Sequence, residues 1–127
     1  MIVRVLITGG AGFIGSNFVR MIARGELQEI SSVKVVDKLT YAGVIENLKG
    51  AERVEGYTFV QGNICDPILV QQLLDNVDAV LNFAAESHVD RSISRASDFV
   101  QTNIVGVQVL LDAIKMSERK INLSSLQ

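Results

Sequence analysis

Three glycines at three-residue steps, Gly9, Gly12 and Gly15, stand in the run Thr8-Gly9-Gly10-Ala11-Gly12-Phe13-Ile14-Gly15. The apolar segment Val3 to Ile7 precedes them, and Ile14, Phe18, Met21 and Ile22 follow at helical spacing. A chain that turns sharply from strand into helix needs glycine for the backbone angles. The missing side chains also let phosphate oxygens reach the N–H groups at the positive end of the helix. Asp37, 22 residues after Gly15, ends the next apolar run. The spacing is that of a dinucleotide site, in which an acid at the end of the second strand accepts the ribose hydroxyls of an adenosine. Its charge would repel a 2′-phosphate, so NAD is expected over NADP.

Other residues of chemical interest lie at the ends of later apolar runs. Lys38 could soften the repulsion by Asp37 or serve as a solvated loop charge. Asn63 could accept from an adenine amine or close an Asx turn ahead of Pro67. Cys65 reads as a packing residue, with no basic neighbour in sequence. Ala84 and Ala85 leave room for a flat ring or ribose, and Glu86, Ser87 and His88 supply polar groups beyond it. Asp90 and Arg91 read as an ion pair holding that loop. Thr102 and Asn103 could face the site or bond to their own helix.

Short apolar runs at Val3 to Ile7, Val33 to Val36, Tyr57 to Val60 and Ala79 to Phe83, with Ile121 to Leu123 as a fifth, alternate with stretches long enough for crossover helices. Asp66-Pro67 suits an N-cap and first helical position, for a helix running to about Asn76. A last helix is expected over Ser97–Met116. Right-handed crossovers then build an α/β, Rossmann-like doubly wound parallel sheet of five strands in the order 3-2-1-4-5. All the residues named above fall at the carboxyl ends of its strands.

The 127 residues are 48% hydrophobic and 20% charged, enough for a single domain with a real core. Twelve basic against 14 acidic side chains create no field for nucleic acid or an anionic membrane. One cysteine and one histidine exclude an internal disulfide and argue against a protein-only metal site. No apolar run reaches the roughly 18 residues of a membrane span, and no leader pattern opens the sequence. The expected location is cytoplasmic.

The strings TGGAGFIGSNFVR, VVDKLTYAG, GNICD, NFAAESHVDRSI and TNIVG, within residues 2 to about 115, closely resemble the dTDP-glucose 4,6-dehydratases of the extended short-chain dehydrogenase/reductase superfamily. DKLTYAG and AAESHVDRSI carry most of the specificity. UDP-sugar epimerases and decarboxylases share the glycine motif and fit AAESHVDRSI less well. The resemblance implies an NAD-dependent lyase that oxidises the sugar C4, eliminates water across C5 and C6, and returns hydride to C6. It implies backbone contacts to the cofactor at Phe13 and Ile14. Adenosine contacts are implied from Asp37, Lys38, Leu39 and Thr40, and adenine contacts from Asn63 and Ile64. Further contacts run along Phe83, Ala84, Ala85 and Glu86 with Thr102 nearby, while Ser87 and His88 approach the sugar of a nucleotide-activated hexose, dTDP-glucose.

Two departures stand out. Asn63 replaces a usual aspartate, which predicts weaker adenine binding. The family's Tyr-x-x-x-Lys motif is missing, since Tyr41 and Tyr57 are followed four residues on by Ile45 and Gln61, and Ser125-Leu126-Gln127 stands where Thr-Asp-Glu is expected. The expectation is therefore an NAD-binding Rossmann-type domain over residues 1–127, the cofactor half of a longer enzyme, without its substrate lobe and with no catalytic residue of its own. A non-catalytic NAD-binding or assembly module is the alternative. The resemblance also implies a homodimer built on the last helix. Val100, Ile104, Val107, Leu111 and Ile114 are expected to face the sheet, leaving Phe99 and Leu110, with Ile93 and Met116, to be covered by a partner.

Overall fold

A computed structural model describes residues 3–39, 45–54, 56–83, 104–117 and 120–125. Its centre is a five-stranded parallel sheet of β1 (Val3–Thr8), β2 (Ile30–Asp37), β3 (Tyr57–Gln61), β4 (Ala79–Asn82) and β5 (Asn122–Ser125). The spatial order β3-β2-β1-β4-β5 is the expected one. Both faces of β1 and β2 are covered, so these strands read as unbroken apolar runs rather than alternating ones. Leu6 and Val36 turn to one side, where α2 (Pro67–Leu73) and α3 (Gly106–Met116) enclose Val70, Leu73, Val80 and Leu110. Val5, Ile7, Val33 and Val35 turn to the other, against Val19 and Ile22 of α1 (Phe13–Ala23) and against Leu48 and Ala51 of two short 3₁₀ turns.

The α2 helix begins as expected, with the Asp66 carboxylate accepting from the N–H groups of Ile68 and Leu69 at 3.1 and 3.3 Å. It stops three residues earlier than the apolar pattern suggests. Asn76 reverses the chain at φ 60°, and the Lys34 ammonium donates to the carbonyls of Leu73 and Asp75 at 3.0 and 3.2 Å, closing the helix end with a positive charge.

The face of one helix differs from expectation, and glycines set the orientation of two. On α3, Leu110 is fully buried and Ile114 packs against the core as expected, whereas Leu111, and Ile104 just ahead of the helix, both expected against the sheet, are 46% and 63% exposed. A Cβ on Gly106 would lie 2.6 Å from Ile64 Cδ1, so this glycine lets the helix close on Ile64 and sets Leu110, one turn later, into the core. On α1 the buried residues are Gly15, Ser16, Val19 and Ile22, with Phe18 packed against the same core and Ile14 exposed. Close approach at a glycine, not the largest side chains, orients each helix. Residues 97–103, including Val100 and Phe99, and Ile93 lie outside the described residues.

Candidate functional site

The glycine turn joins the carboxyl end of β1 to α1. Gly9 adopts φ 70°, its N–H donates to the Val36 carbonyl at 2.8 Å, and its own carbonyl accepts from Gly12 at 3.2 Å. A Cβ on Gly15 would sit 2.3 Å from the Gly9 carbonyl oxygen and 2.9 Å from Gly10 Cα, and one on Gly10 would sit 2.4 Å from Val35 Cγ1. Only glycine lets β1, β2 and α1 meet this closely. Gly10 carried no separate signal in the sequence; its role appears with the packing.

Gly12 is the N-cap of α1 and has no capping side chain. The first intrahelical bond runs from the Ser16 N–H to the Gly12 carbonyl at 2.9 Å. Among the described residues, nothing accepts from the N–H groups of Phe13, Ile14 and Gly15. Three donors therefore converge at the positive end of a helix whose entrance carries no side-chain acceptor. Phe13 and Ile14 are 80% and 53% exposed there.

Asp37 lies beside this turn at the end of β2 and is nearly buried. Its Oδ2 accepts from the Ala11 N–H at 2.9 Å and its Oδ1 from the Leu39 N–H at 2.7 Å. Each carboxylate oxygen keeps a lone pair for a further donor. Leu39 holds a left-handed backbone at φ 60°, rare for a non-glycine residue, and packs against the α1-side core. Lys38 follows the strand, with Gln61 Nε2 donating to its carbonyl at 3.4 Å.

Across β2, β3 leads to Asn63, whose Oδ1 accepts from the Cys65 N–H at 2.9 Å. That is the Asx turn, the plainer of the two readings open in the sequence. The same oxygen retains a lone pair, so the turn and an adenine contact are compatible. Ile64 puts its side chain into the core at 3% exposure, which leaves ligand contact to its backbone. Burial pushes the Cys65 thiol up from its ordinary pKa, against an opposing pull from the Lys38 charge. Cys65 thus has a cationic neighbour in space that its sequence neighbours do not supply. Its raised pKa fits a packing role.

At the end of β4, the Phe83 N–H donates to the Thr8 carbonyl at 2.9 Å, and its ring centroid lies 5.9 Å from that of Phe18. Thr40, Ala84, Ala85, Glu86, Ser87, His88 and Thr102 lie outside the described residues, as do Asp90, Arg91 and Asn103. The structure therefore brings together Gly9, Gly12, Phe13, Ile14, Gly15, Asp37, Lys38, Leu39, Asn63, Ile64 and Phe83 along one edge of the sheet.

Sequence reasoning missed two polar arrangements at this edge. The Thr8 hydroxyl donates to Asn82 Oδ1, both side chains being buried at neighbouring strand ends. Both residues belong to strings that carry the family resemblance, and each is the last residue of its strand, which was the available signal. The second is Asn47, whose Nδ2 donates to the Ala11 carbonyl at 2.9 Å. No pattern in the sequence marks it. Among the described residues, no group of three or more His, Cys, Asp or Glu could hold a metal, and no helix is long and apolar enough to cross a membrane.

The chain is 54% identical over 112 residues to a dTDP-glucose 4,6-dehydratase from Streptomyces niveus, an alignment covering 87% of this chain and 33% of that one. It therefore spans about a third of the length of this curated relative. Among solved structures, a dTDP-glucose 4,6-dehydratase from Streptomyces venezuelae with NAD bound superposes with a TM-score of 0.85 at 45% identity, over 94% of this chain and 38% of that one. A UDP-glucose 4-epimerase from Stenotrophomonas maltophila with bound NAD gives a TM-score of 0.73 at 32% identity, over 89% of this chain and 33% of that one. The sequence profile of the GDP-mannose 4,6 dehydratase family matches residues 6–126, nearly the whole chain, and with this strand order and this glycine turn the chain belongs to that family.

Proposed function

We propose that this chain is the NAD-binding portion of a nucleotide-sugar 4,6-dehydratase that converts dTDP-glucose to dTDP-4-keto-6-deoxyglucose. The observation that carries the reading is the pairing of three unengaged N–H donors at Phe13, Ile14 and Gly15 with the Asp37 carboxylate at the adjoining strand end. A dinucleotide needs both, the donors for its pyrophosphate and the acid for its adenosine ribose. NAD supplies, when bound, a hydride acceptor for the sugar C4 and a hydride donor for C6. The chain's own residues bind and orient. Glycines 9, 12 and 15 admit the phosphates, Asp37 with Lys38, Leu39 and Thr40 holds the adenosine, and Asn63 and Ile64 border the adenine.

Phe83, Ala84, Ala85, Glu86 and Thr102 are assigned to the rest of the cofactor and Ser87 and His88 to the sugar, on the strength of the motifs in which they stand. Greater identity to the dehydratases than to the epimerase supports the dehydratase reading. We assign residues 1–127 to one Rossmann-type domain, with the substrate lobe outside it, and place the protein in the cytoplasm. No group in these residues is assigned a catalytic role. The isolated chain should bind NAD without turnover.

We also propose a homodimer, with the face of α3 corrected. Ile104, Val105, Leu111 and Met116 are the exposed apolar residues of that segment, in place of the buried Leu110. Calorimetric titration of the chain with NAD⁺ and NADP⁺ tests the cofactor reading. NAD⁺ should bind more tightly, and equal or tighter binding of NADP⁺ would remove Asp37 from the ribose.

A further inference from the structure

The Ala11 residue, at the middle of the glycine turn, is held by side chains on both of its polar atoms. Its N–H donates to Asp37 Oδ2 at 2.9 Å, and its carbonyl accepts from Asn47 Nδ2 at 2.9 Å. Asn47 is itself fixed by α1, since Arg20 Nη1 donates to the Asn47 carbonyl at 2.7 Å while Nη2 of the same guanidinium donates to Asn17 Oδ1 at 2.5 Å. The connection between β2 and β3 thus returns to α1 and closes a bracket on the turn.

The bracket has a specific effect on the helix entrance. A helix with Ala11 as its N-cap would use the Ala11 carbonyl to accept from the Gly15 N–H, four residues on. Here the Ala11 carbonyl bonds to Asn47 Nδ2 and makes no bond to the Gly15 N–H, and the first intrahelical bond runs from Ser16 to Gly12. Among the described residues the Gly15 donor stays unengaged.

We propose that Asn47 is a positioning residue for the pyrophosphate: by holding the Ala11 carbonyl it keeps the Gly15 N–H available to a phosphate oxygen. This rests on the cofactor reading above. It acts through the backbone, with no contact between Asn47 and the ligand.

Two variants test it, Asn47→Ala and the isosteric Asn47→Asp, which keeps the shape and loses the donor. In the ligand-free chain, the Ala11 carbonyl released by Asn47→Ala should capture the Gly15 N–H, so that amide hydrogen exchange at Gly15 slows by NMR. A merely structural loss would speed it. Titrations followed by NMR should show Asn47→Ala binding NAD⁺ about tenfold more weakly, the scale of one hydrogen bond, with adenosine affinity within twofold of the parent. Asn47→Asp should slow Gly15 exchange in the same way. Unchanged or faster Gly15 exchange in both variants overturns the proposal, as does an equal loss of adenosine and NAD⁺ affinity. A parent chain that takes up no NAD⁺ overturns the cofactor reading, while the exchange measurement still decides what Asn47 does to the turn.

Discussion

The two ends of the sheet treat their polar groups in opposite ways. At the amino end, Asp78 Oδ2 accepts from both the backbone N–H and the Nε of Arg4 at 2.9 and 3.1 Å, and Oδ1 accepts from Nη2 at 3.2 Å. The Asp78 N–H and carbonyl bond in turn to Arg4 and Asn122, and Lys34 closes α2. At the carboxyl end, three N–H donors have no acceptor among the described residues and a carboxylate keeps spare lone pairs. A cavity of about 250 Å³ opens at the amino end, lined by Arg4, Ser32, Lys34 and Thr58 among others. Its two cations already serve protein acceptors. Unused hydrogen-bonding capacity, more than empty volume, separates the proposed cofactor end from the end that holds the sheet together.

The largest effect should come from filling the carboxyl end. Gly15→Ala places a methyl group against backbone atoms that cannot swing aside, with an expected cost of about 1–3 kcal/mol in stability and loss of measurable NAD⁺ binding. Denaturant unfolding and calorimetry read the two effects separately, and retained affinity would show that the turn can open. Next, Asp37→Ala should weaken NAD⁺ binding by about 1.5–3 kcal/mol, the range for hydrogen bonds to a charged group. A loss of only a few tenths would make Asp37 a clamp on the turn alone.

At the amino end, Lys34→Met should lower stability by about 0.3–1 kcal/mol through the carbonyls of Leu73 and Asp75 that lose their donor, leaving NAD⁺ affinity unchanged. A drop in affinity would break the contrast between the two ends. Smaller still, Leu111→Glu on the exposed face of α3 should change stability by less than about 0.5 kcal/mol. It should convert a dimer to a monomer in light scattering; a parent chain already monomeric at high micromolar concentration rejects the dimer. Finally, because burial raises the Cys65 pKa, its alkylation at pH 8 should be slower than that of an unstructured cysteine peptide, and should accelerate as pH rises through the shifted value. Equal rates would place the thiol in solvent.

Strand order, strand number and the Asp66 cap were legible in the sequence because they depend on local patterns: short apolar runs, the spacing between them and a capping residue before proline. Glycine turn and acid were legible for the same reason. What escaped depends on distance in three dimensions. The α3 face was misassigned because counting large apolar residues ignores Gly106, which contributes nothing to a hydrophobic pattern and decides where the helix touches. Asn47 escaped because its partner lies 36 residues away in sequence. Lys34 reads as an interruption of an apolar strand, and only the placement of α2 reveals it as the closing charge.

The two cores also differ in how much chain each requires. Among the described residues, every fully buried member of the α1-side cluster, from Val5 to Ala51, lies in the first 51 positions, whereas the opposite cluster joins Leu6 to Leu110 and Ile121. Contacts close in sequence cost less loop entropy and form sooner. During synthesis, β1, α1, β2 and the bracket around Ala11 can therefore assemble before β4 emerges, so that the glycine turn takes shape on a half-built sheet and the later strands add to it. In pulsed hydrogen exchange during refolding, amides of β1 and β2 should gain protection ahead of those of β4 and β5.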